Sequence, residues 1–295
     1  MTPVVLLGPT AAGKSDVAMA AALDVPGTEI VAVDAMQVYR GMDIGTGKPT
    51  AADRTAVVHH CLDLVDPSDE FTVADYQCAY RSAVPGIRGR PLLAAGTGLY
   101  LAAVIDGLDV PGQWPDVRLE LEAEEDVSTL WSRLDALDPV AAGRIDPANR
   151  RRIVRALEVT LGAGRPFSSF GPGLRAYPPT DVVVIGLRWR REVLAARVEQ
   201  RVLAMVAAGL PDEVDRLAAA GPLSRTARQA LGYKELLDEP DLDAAVRATV
   251  TRTRQFAVRQ ERWFRRDPRV RWIDVEHDPV AEAAPAVVDA LRSSP

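Results

Sequence analysis

The segment Gly8-Pro9-Thr10-Ala11-Ala12-Gly13-Lys14-Ser15 constrains this chain more than any other, because it fits G-x-x-x-x-G-K-[ST] without a mismatch. An apolar run, Val4–Leu7, precedes it and reads as a buried strand. A helix-forming stretch, Asp16 to Leu23, follows. In a loop of this kind the backbone N–H groups and the helix N-terminus cradle two linked phosphates. The Lys ammonium reaches the outer phosphate and the Ser hydroxyl holds Mg²⁺. The chain is therefore expected to bind a di- or triphosphate.

What surrounds the loop is expected to be an α/β fold. Short β-branched runs at Val4–Leu7, Glu29–Val33, Cys61–Val65, Pro91–Ala95, Asp181–Leu187 and Val270–Asp274 alternate with helical stretches. That alternation predicts a doubly wound parallel sheet of the P-loop NTPase type, with ligands at the carboxyl ends of the strands. Between Trp114 and Pro179 the pattern changes to helices only. The expected organisation is a core formed by residues 1–114 and 180–295, interrupted by a small all-helical insertion over 115–179. A last long helix, Asp243 to Arg266, is expected to bury Val246, Val250, Phe256, Ala257 and Trp263 or Phe264. Arg252, Arg259 and Arg266 form a stripe beside that face.

Composition sharpens the reading of the basic residues. Of 35 Lys and Arg only three are lysines, Lys14, Lys48 and Lys234, so lysine is expected where a compact ammonium does what a planar guanidinium cannot. The net charge of −6 argues against a wholly basic nucleic-acid binder. Its distribution is uneven, however. Residues 116–138 are acidic, while 247–271 carry nine arginines against Glu261 and Asp267. No apolar run is long enough to span a membrane and no signal-peptide pattern is present. Two cysteines and three histidines have no structural-zinc spacing, and a cytoplasmic protein is expected.

The second strand ends at Asp34, ahead of Ala35-Met36-Gln37-Val38-Tyr39. A carboxylate at that strand end points into the phosphate cleft, where it could ligate Mg²⁺, take a proton from a nucleophile, or simply cap the next helix. The fourth strand runs into Gly96-Thr97-Gly98-Leu99-Tyr100 and lacks the Asp that a nucleotide hydrolase carries there, which weighs against a motor ATPase or a nucleotide switch.

Taken together the blocks GPTAAGKS (8–15), VDAMQVYRGMDIGTGKP (33–49), AGTGLYLAA (95–103), DPANRRRIVRALEV (146–159), RVLAMVAAGLPDEV (201–214) and RQALGYKEL (228–236) resemble the bacterial tRNA dimethylallyltransferases (tRNA isopentenyltransferases) over essentially the whole chain. The resemblance implies that Gly8 to Ser15 hold the diphosphate of dimethylallyl diphosphate, with Mg²⁺ on Ser15 and Thr10 assisting the leaving group. It implies transfer to N6 of the adenosine immediately 3′ of the anticodon, in tRNAs reading codons that begin with U, with Asp34 as general base. Asp34, Ala35, Met36, Gln37, Thr97, Arg118, Arg151, Arg152 and Arg155 match the family's tRNA contacts, with Arg150 in the same run. Arg225, Arg228 and Gln229 are candidates for contact with diphosphate or tRNA. The expected partners are a tRNA anticodon stem-loop and dimethylallyl diphosphate, without a membrane, and the expected state is a monomer. Two alternatives share the loop: an adenylate isopentenyltransferase, which needs no arginine run, and an ATP-dependent small-molecule kinase.

Overall fold

A computed structural model describes residues 2–171, 173–174 and 176–294. The chain divides into two compact units, one formed by Met1–Ile105 with Pro179–Pro295 and the other by Asp106–Pro178. The second unit thus begins at Asp106, ahead of the expected boundary, because Asp106 to Trp114 run as coil that belongs with the helices after it.

The first unit is a six-stranded sheet in which every pairing is parallel. In chain order it contains β1 (Val4–Leu7), α1 (Lys14–Asp24), β2 (Thr28–Val33), α2 (Ala51–Ala56), β3 (His59–His60), α3 (Val73–Ala83), β4 (Arg90–Ala95) and α4 (Gly98–Ile105). The second unit supplies α5 (Pro115–Glu122), α6 (Val127–Leu137), α7 (Pro139–Ala142) and α8 (Arg150–Ala163). The first unit then resumes with β5 (Val183–Trp189), α9 (Arg191–Ala207), α10 (Leu210–Ala220), α11 (Tyr233–Asp238), α12 (Leu242–Phe264), β6 (Val270–Val275) and α13 (Pro279–Ser293). The strand order β3-β2-β4-β1-β5-β6 makes β1 the switch point, with connections leaving first to one side and later to the other. Ligand crevices form at such points, outside the carboxyl ends of the strands.

Register places the site. Leu7 of β1 lies opposite Ala95 of β4, and Ala95 lies opposite Val33 of β2. The residues that follow each strand, Gly8, Gly96 and Asp34, therefore emerge side by side at one edge of the sheet. Apolar strands buried on both faces require helices on both, as parallel sheets do. One face packs Val17, Ala18 and Ala21 of α1 with Val198 of α9 and Val287 and Leu291 of α13. The other packs Tyr39, Tyr76, Tyr100, Tyr233 and Phe264 against Leu7, Val33 and Leu93.

Two expected elements are corrected. The third strand is His59–His60, not Cys61–Val65. Cys61 and Asp63 take left-handed φ values of 61° and 54°, which a ladder cannot accommodate. The segment after them instead donates from the Asp63 and Leu64 backbone to the carbonyls of Gln37 and Val38, pinning the loop that follows β2. On α12 the buried stripe is Ala245, Thr249, Thr253, Ala257, Gln260 and Phe264, with Val250 beside it. Phe256 and Val246 are only partly buried. The face is more polar than its sequence pattern suggests: Thr249 donates to the Ala245 carbonyl of its own helix, and Gln260 bonds the Thr10 N–H and the Gly96 carbonyl, backbone groups that need partners.

The helical unit is held by Leu121, Leu130, Leu134, Ile153, Val154 and Leu157. Asp138 caps α7 through the Ala141 N–H and accepts from both the backbone and the hydroxyl of Ser168, and these bonds hold its carboxyl below the usual range despite burial.

Candidate active site

The phosphate loop is an open nest of donors. Ala11 and Gly13 have φ values of 62° and 89°, so successive N–H groups turn inward before α1 begins at Lys14. Among the described residues, the N–H groups of Ala11, Gly13, Lys14 and Ser15 have no acceptor within the chain. The outward side of the loop is braced by the second half of the sheet. The Trp189 indole donates to the Ala12 carbonyl at 3.0 Å, and Arg197 Nε donates to the Ala11 carbonyl at 2.9 Å while its guanidinium stacks on the Trp189 ring. Gly13 is required for a further reason: a Cβ there would collide with Pro279 at the start of α13.

Lys14 Nζ rests on the Pro9 carbonyl at 2.8 Å. Burial, and secondarily the Arg201 guanidinium, push its pKa down to about 8, opposed by Asp34. Arg201, one helical turn after Arg197 on α9, is itself held below its usual range by burial, against the pull of Asp34 and Asp16. Two half-buried cations, each interacting with Asp34, make this part of the cleft a candidate anion site. The Ser15 hydroxyl is exposed at the first turn of α1, and no cluster of acidic or imidazole ligands among the described residues could hold a metal by itself. That donor set suits Mg²⁺ carried mainly by phosphate oxygens.

Asp34 stands across the cleft from these cations. Its Oδ1 accepts from the Met36 N–H at 2.8 Å, which fixes the carboxylate in a turn. The helix-cap reading is excluded, since the next helix, α2, begins at Ala51 and is capped by Thr50. A Cβ on Gly96 would come within 2.8 Å of Asp34 Oδ2, so the glycine at the β4 end makes room for the carboxylate. The Thr97 hydroxyl accepts from the Ala35 N–H at 3.1 Å, joining the two strand ends. Gln37 donates through its amide to the carbonyls of Thr46 and Gly47. Asp34, Ala35, Met36, Gln37 and Thr97 thus form one constellation.

The loop from Asp34 to Lys48 has no regular structure, and two buried polar groups determine its course. Glu213 of α10 accepts from the backbone of Asp43, Ile44 and Gly45 and from the Tyr233 hydroxyl. Lys48 Nζ donates to the Tyr39 carbonyl, Asp43 Oδ1 and Asp63 Oδ1. Three partners match the three N–H bonds of an ammonium, which accounts for lysine here in an arginine-rich chain. Gly47, with φ 61°, lies flush against Arg201, so the loop and this cation are packed together.

Other expected contacts lie elsewhere. Arg228 pairs with Asp238, Gln229 accepts from Lys234, and the Arg225 backbone is tied to Glu70. Among the described residues, no hydrogen bond or ion pair joins these three to the phosphate loop. Several arginines near the chain's end are spent internally: Arg252 on Glu235, Arg254 on Glu199, Arg265 on Glu261. Trp263 packs flush on Gly98. The residues missed in the sequence are Arg197, Arg201, Trp189 and Gln260. The i, i+4 spacing of the two arginines was the available signal, and it was lost among many other arginines.

In the helical unit, Arg151 and Arg152 project exposed from the first turn of α8 and, among the described residues, carry no ion pair. Arg155 bonds Glu158 and the carbonyls of Pro111 and Gly112, while Arg118 bonds Glu122 and lies 3.7 Å from Glu158. Arg150 is held by the carbonyls of Glu122 and Glu125. Arg118, Arg150 and Arg151 line a surface cavity of about 430 Å³ with Glu122 and Val154.

A phosphate loop at the switch point of a parallel sheet, facing a strand-end carboxylate and two half-buried cations, defines an α/β enzyme that acts on a phosphorylated substrate. Comparison with known proteins resolves which kind. The family model described as IPP transferase matches residues 37–267, that described as isopentenyl transferase matches residues 1–62, and the chain belongs to the IPP transferase family. It is 44% identical to a tRNA dimethylallyltransferase of Paenarthrobacter aurescens, over 98% of this chain and 96% of that one. It is 48% identical to one of Kineococcus radiotolerans, over 92% and 90%. Among solved structures, the tRNA isopentenylpyrophosphate transferase of Bacillus halodurans matches with a TM-score of 0.70 at 36% identity, covering 99% of this chain and 97% of that one. A eukaryotic dimethylallyltransferase acting on tRNA shares the fold, with a TM-score of 0.82 at 23% identity, covering 99% and 80%.

Proposed function

We propose that this chain transfers a dimethylallyl group from dimethylallyl diphosphate to N6 of the adenosine immediately 3′ of the anticodon, in tRNAs reading codons that begin with U, and releases diphosphate. The observation that carries the reading is the alignment of Gly8, Gly96 and Asp34 at adjacent strand ends, which sets a carboxylate beside an anion nest. The N6 lone pair attacks the allylic C1, the C1–O bond breaks with its electron pair leaving on the diphosphate, and the N6 proton passes to Asp34. An exocyclic amine is a weak nucleophile, so a placed base contributes directly. The developing charge on diphosphate meets the loop N–H groups, Lys14, Arg201 and the Thr10 hydroxyl, a preorganised site of the kind that stabilises leaving anions. The Ser15 hydroxyl would hold Mg²⁺, which supplies further counter-charge when bound.

The adenosine must leave its stack to reach Asp34, and the turn from Asp34 to Gln37, with Thr97, is where it would be read. Arg118, Arg151, Arg152 and Arg155 would hold the tRNA backbone, with the whole helical unit as a tRNA-contacting domain. No helix among the described residues is long and apolar enough to cross a membrane; a cytoplasmic monomer fits this chemistry.

The test combines the protein, Mg²⁺, labelled dimethylallyl diphosphate and unmodified tRNA, with AMP as a parallel acceptor. Label in tRNA that disappears when the adenosine beside the anticodon is changed supports the proposal. Label in AMP alone assigns the chain to adenylate prenylation. Label in neither, with ATP raising the melting temperature, assigns the loop to a kinase.

A further inference from the structure

One buried side chain ties the two halves of the cleft together. Gln260 lies on the inner face of α12, 8% exposed, between Ala257 and Phe264. Its Oε1 accepts from the backbone N–H of Thr10 at 2.9 Å, and its Nε2 donates to the Gly96 carbonyl at 2.7 Å. Thr10 belongs to the phosphate loop. Gly96 precedes Thr97, whose hydroxyl receives the Ala35 N–H next to Asp34. The amide and the Asp34 carboxylate also flank the same glycine, since a Cβ on Gly96 would lie 3.8 Å from Gln260 Nε2 and 2.8 Å from Asp34 Oδ2.

Sheet hydrogen bonds hold β1 and β4 in register only as far as Leu7 and Ala95. Beyond those residues the described loops share no ladder, and the Gln260 amide bridges their backbones. An amide suits this task because it accepts and donates at once, whereas a carboxylate only accepts and an apolar side chain does neither.

We propose that Gln260 is a positioning residue for the transfer: it sets the spacing between the phosphate loop, which would hold the allylic carbon through the diphosphate, and the Asp34–Thr97 turn, which would hold N6. This rests on the function proposed above. Gln260 acts through Thr10 and Gly96 and touches neither substrate, so its loss should leave both substrates bound but badly aligned. Misplacement of reacting atoms by about 1 Å costs on the order of 10²-fold in rate.

The experiment compares wild type with Gln260→Met and Gln260→Glu by single-turnover transfer, KM for dimethylallyl diphosphate, Kd for tRNA and thermal unfolding. Gln260→Met keeps the bulk and loses both bonds. It should lower the single-turnover rate by about 10- to 100-fold, with KM and Kd within about threefold of wild type. Gln260→Glu carries its own signature. Its protonated carboxyl regains a donor and an acceptor, and the nearby Asp34 carboxylate disfavours a second negative charge. The ratio of its rate to that of wild type should therefore rise as pH falls from 8 to 6, while the ratio for Gln260→Met stays flat. A Gln260→Met rate within twofold of wild type, a loss expressed in KM and Kd instead of rate, or a flat Gln260→Glu ratio would each overturn the inference. If Gln260→Met does not fold, the Gln260→Glu ratio decides alone. Failure of wild type to transfer label at all would instead defeat the proposed function, so the two failures are distinguishable.

Discussion

The cleft at the head of the sheet and the arginine-bearing turn of α8 both present cationic side chains, and they do so in opposite ways. In the cleft several charged groups are braced by fixed partners. Lys14 rests on Pro9, Arg197 is stacked on Trp189, and Lys48 is fully engaged by Tyr39, Asp43 and Asp63. On α8, Arg151 and Arg152 project into solvent and carry no ion pair among the described residues. Bond breaking gains from charges that are already in place when the leaving group departs, because no reorganisation is then needed. Holding a polyanionic backbone needs only that counterions be displaced, and mobile, solvated arginines do that without fixed geometry. Between these extremes lie Arg118 and Arg155, which the buried carboxylate of Glu158, 1% exposed, partly orders.

Variants can break this contrast or sharpen it. The largest effect is expected for Asp34→Asn, which removes the base and keeps the turn. Transfer should fall by about 10²-fold or more, with tRNA affinity unchanged in filter binding. Near-normal turnover would remove Asp34 from the role of base. Next comes Arg201→Ala: loss of one charged donor should cost about 10- to 100-fold in kcat/KM for dimethylallyl diphosphate, read by steady-state kinetics at saturating tRNA.

The cleft should also respond to pH in a way the α8 face does not. Lys14 binds an anion only when protonated, and its pKa lies at about 8. As pH rises through that value the free enzyme loses the charge, so kcat/KM for dimethylallyl diphosphate should decline by about tenfold for each further pH unit. Arg201 contributes to the depression of Lys14, so Arg201→Ala should shift this limb to higher pH. An unmoved limb would mean that the two cations do not share one site.

The smallest effects belong to the open face. Arg151→Ala and Arg152→Ala should each weaken tRNA binding only a few-fold and reduce the slope of log Kd against log salt by about one, with single-turnover transfer unchanged. Wild-type binding should fall steeply between 50 and 200 mM salt. A flat salt response would show that these arginines do not contact phosphate, and a slower transfer step would make them part of the rigid cleft.

Much of this was legible in the sequence. The phosphate loop is contiguous, and its conformation follows from local rules: a glycine with positive φ, a helix start, and a lysine at the right offset. Five of the expected strands stand close to where alternation and β-branching place them, and Asp34 follows from its position at the end of one. The third strand was misread because Cys61-Leu62-Asp63-Leu64-Val65 has the composition of a strand, while left-handed φ at Cys61 and Asp63 is imposed by tertiary bonds to the loop opposite. The buried face of α12 was misread because Thr249, Thr253 and Gln260 look like solvent-facing positions.

By itself, then, the amino-acid sequence determined that this protein has strands alternating with helices, a phosphate-loop motif and an acid at the end of the second strand, since each is encoded within a few consecutive residues; that β4 lies between that strand and β1 was decided by the tertiary structure. Only the tertiary structure decided that Arg201 is the second cation, that Trp189 and Arg197 brace the nest, and that Gln260 bridges its two sides. Helical periodicity tells which residues share a face, and what that face meets is set by strand order and packing between segments as far apart as Thr10 and Gln260.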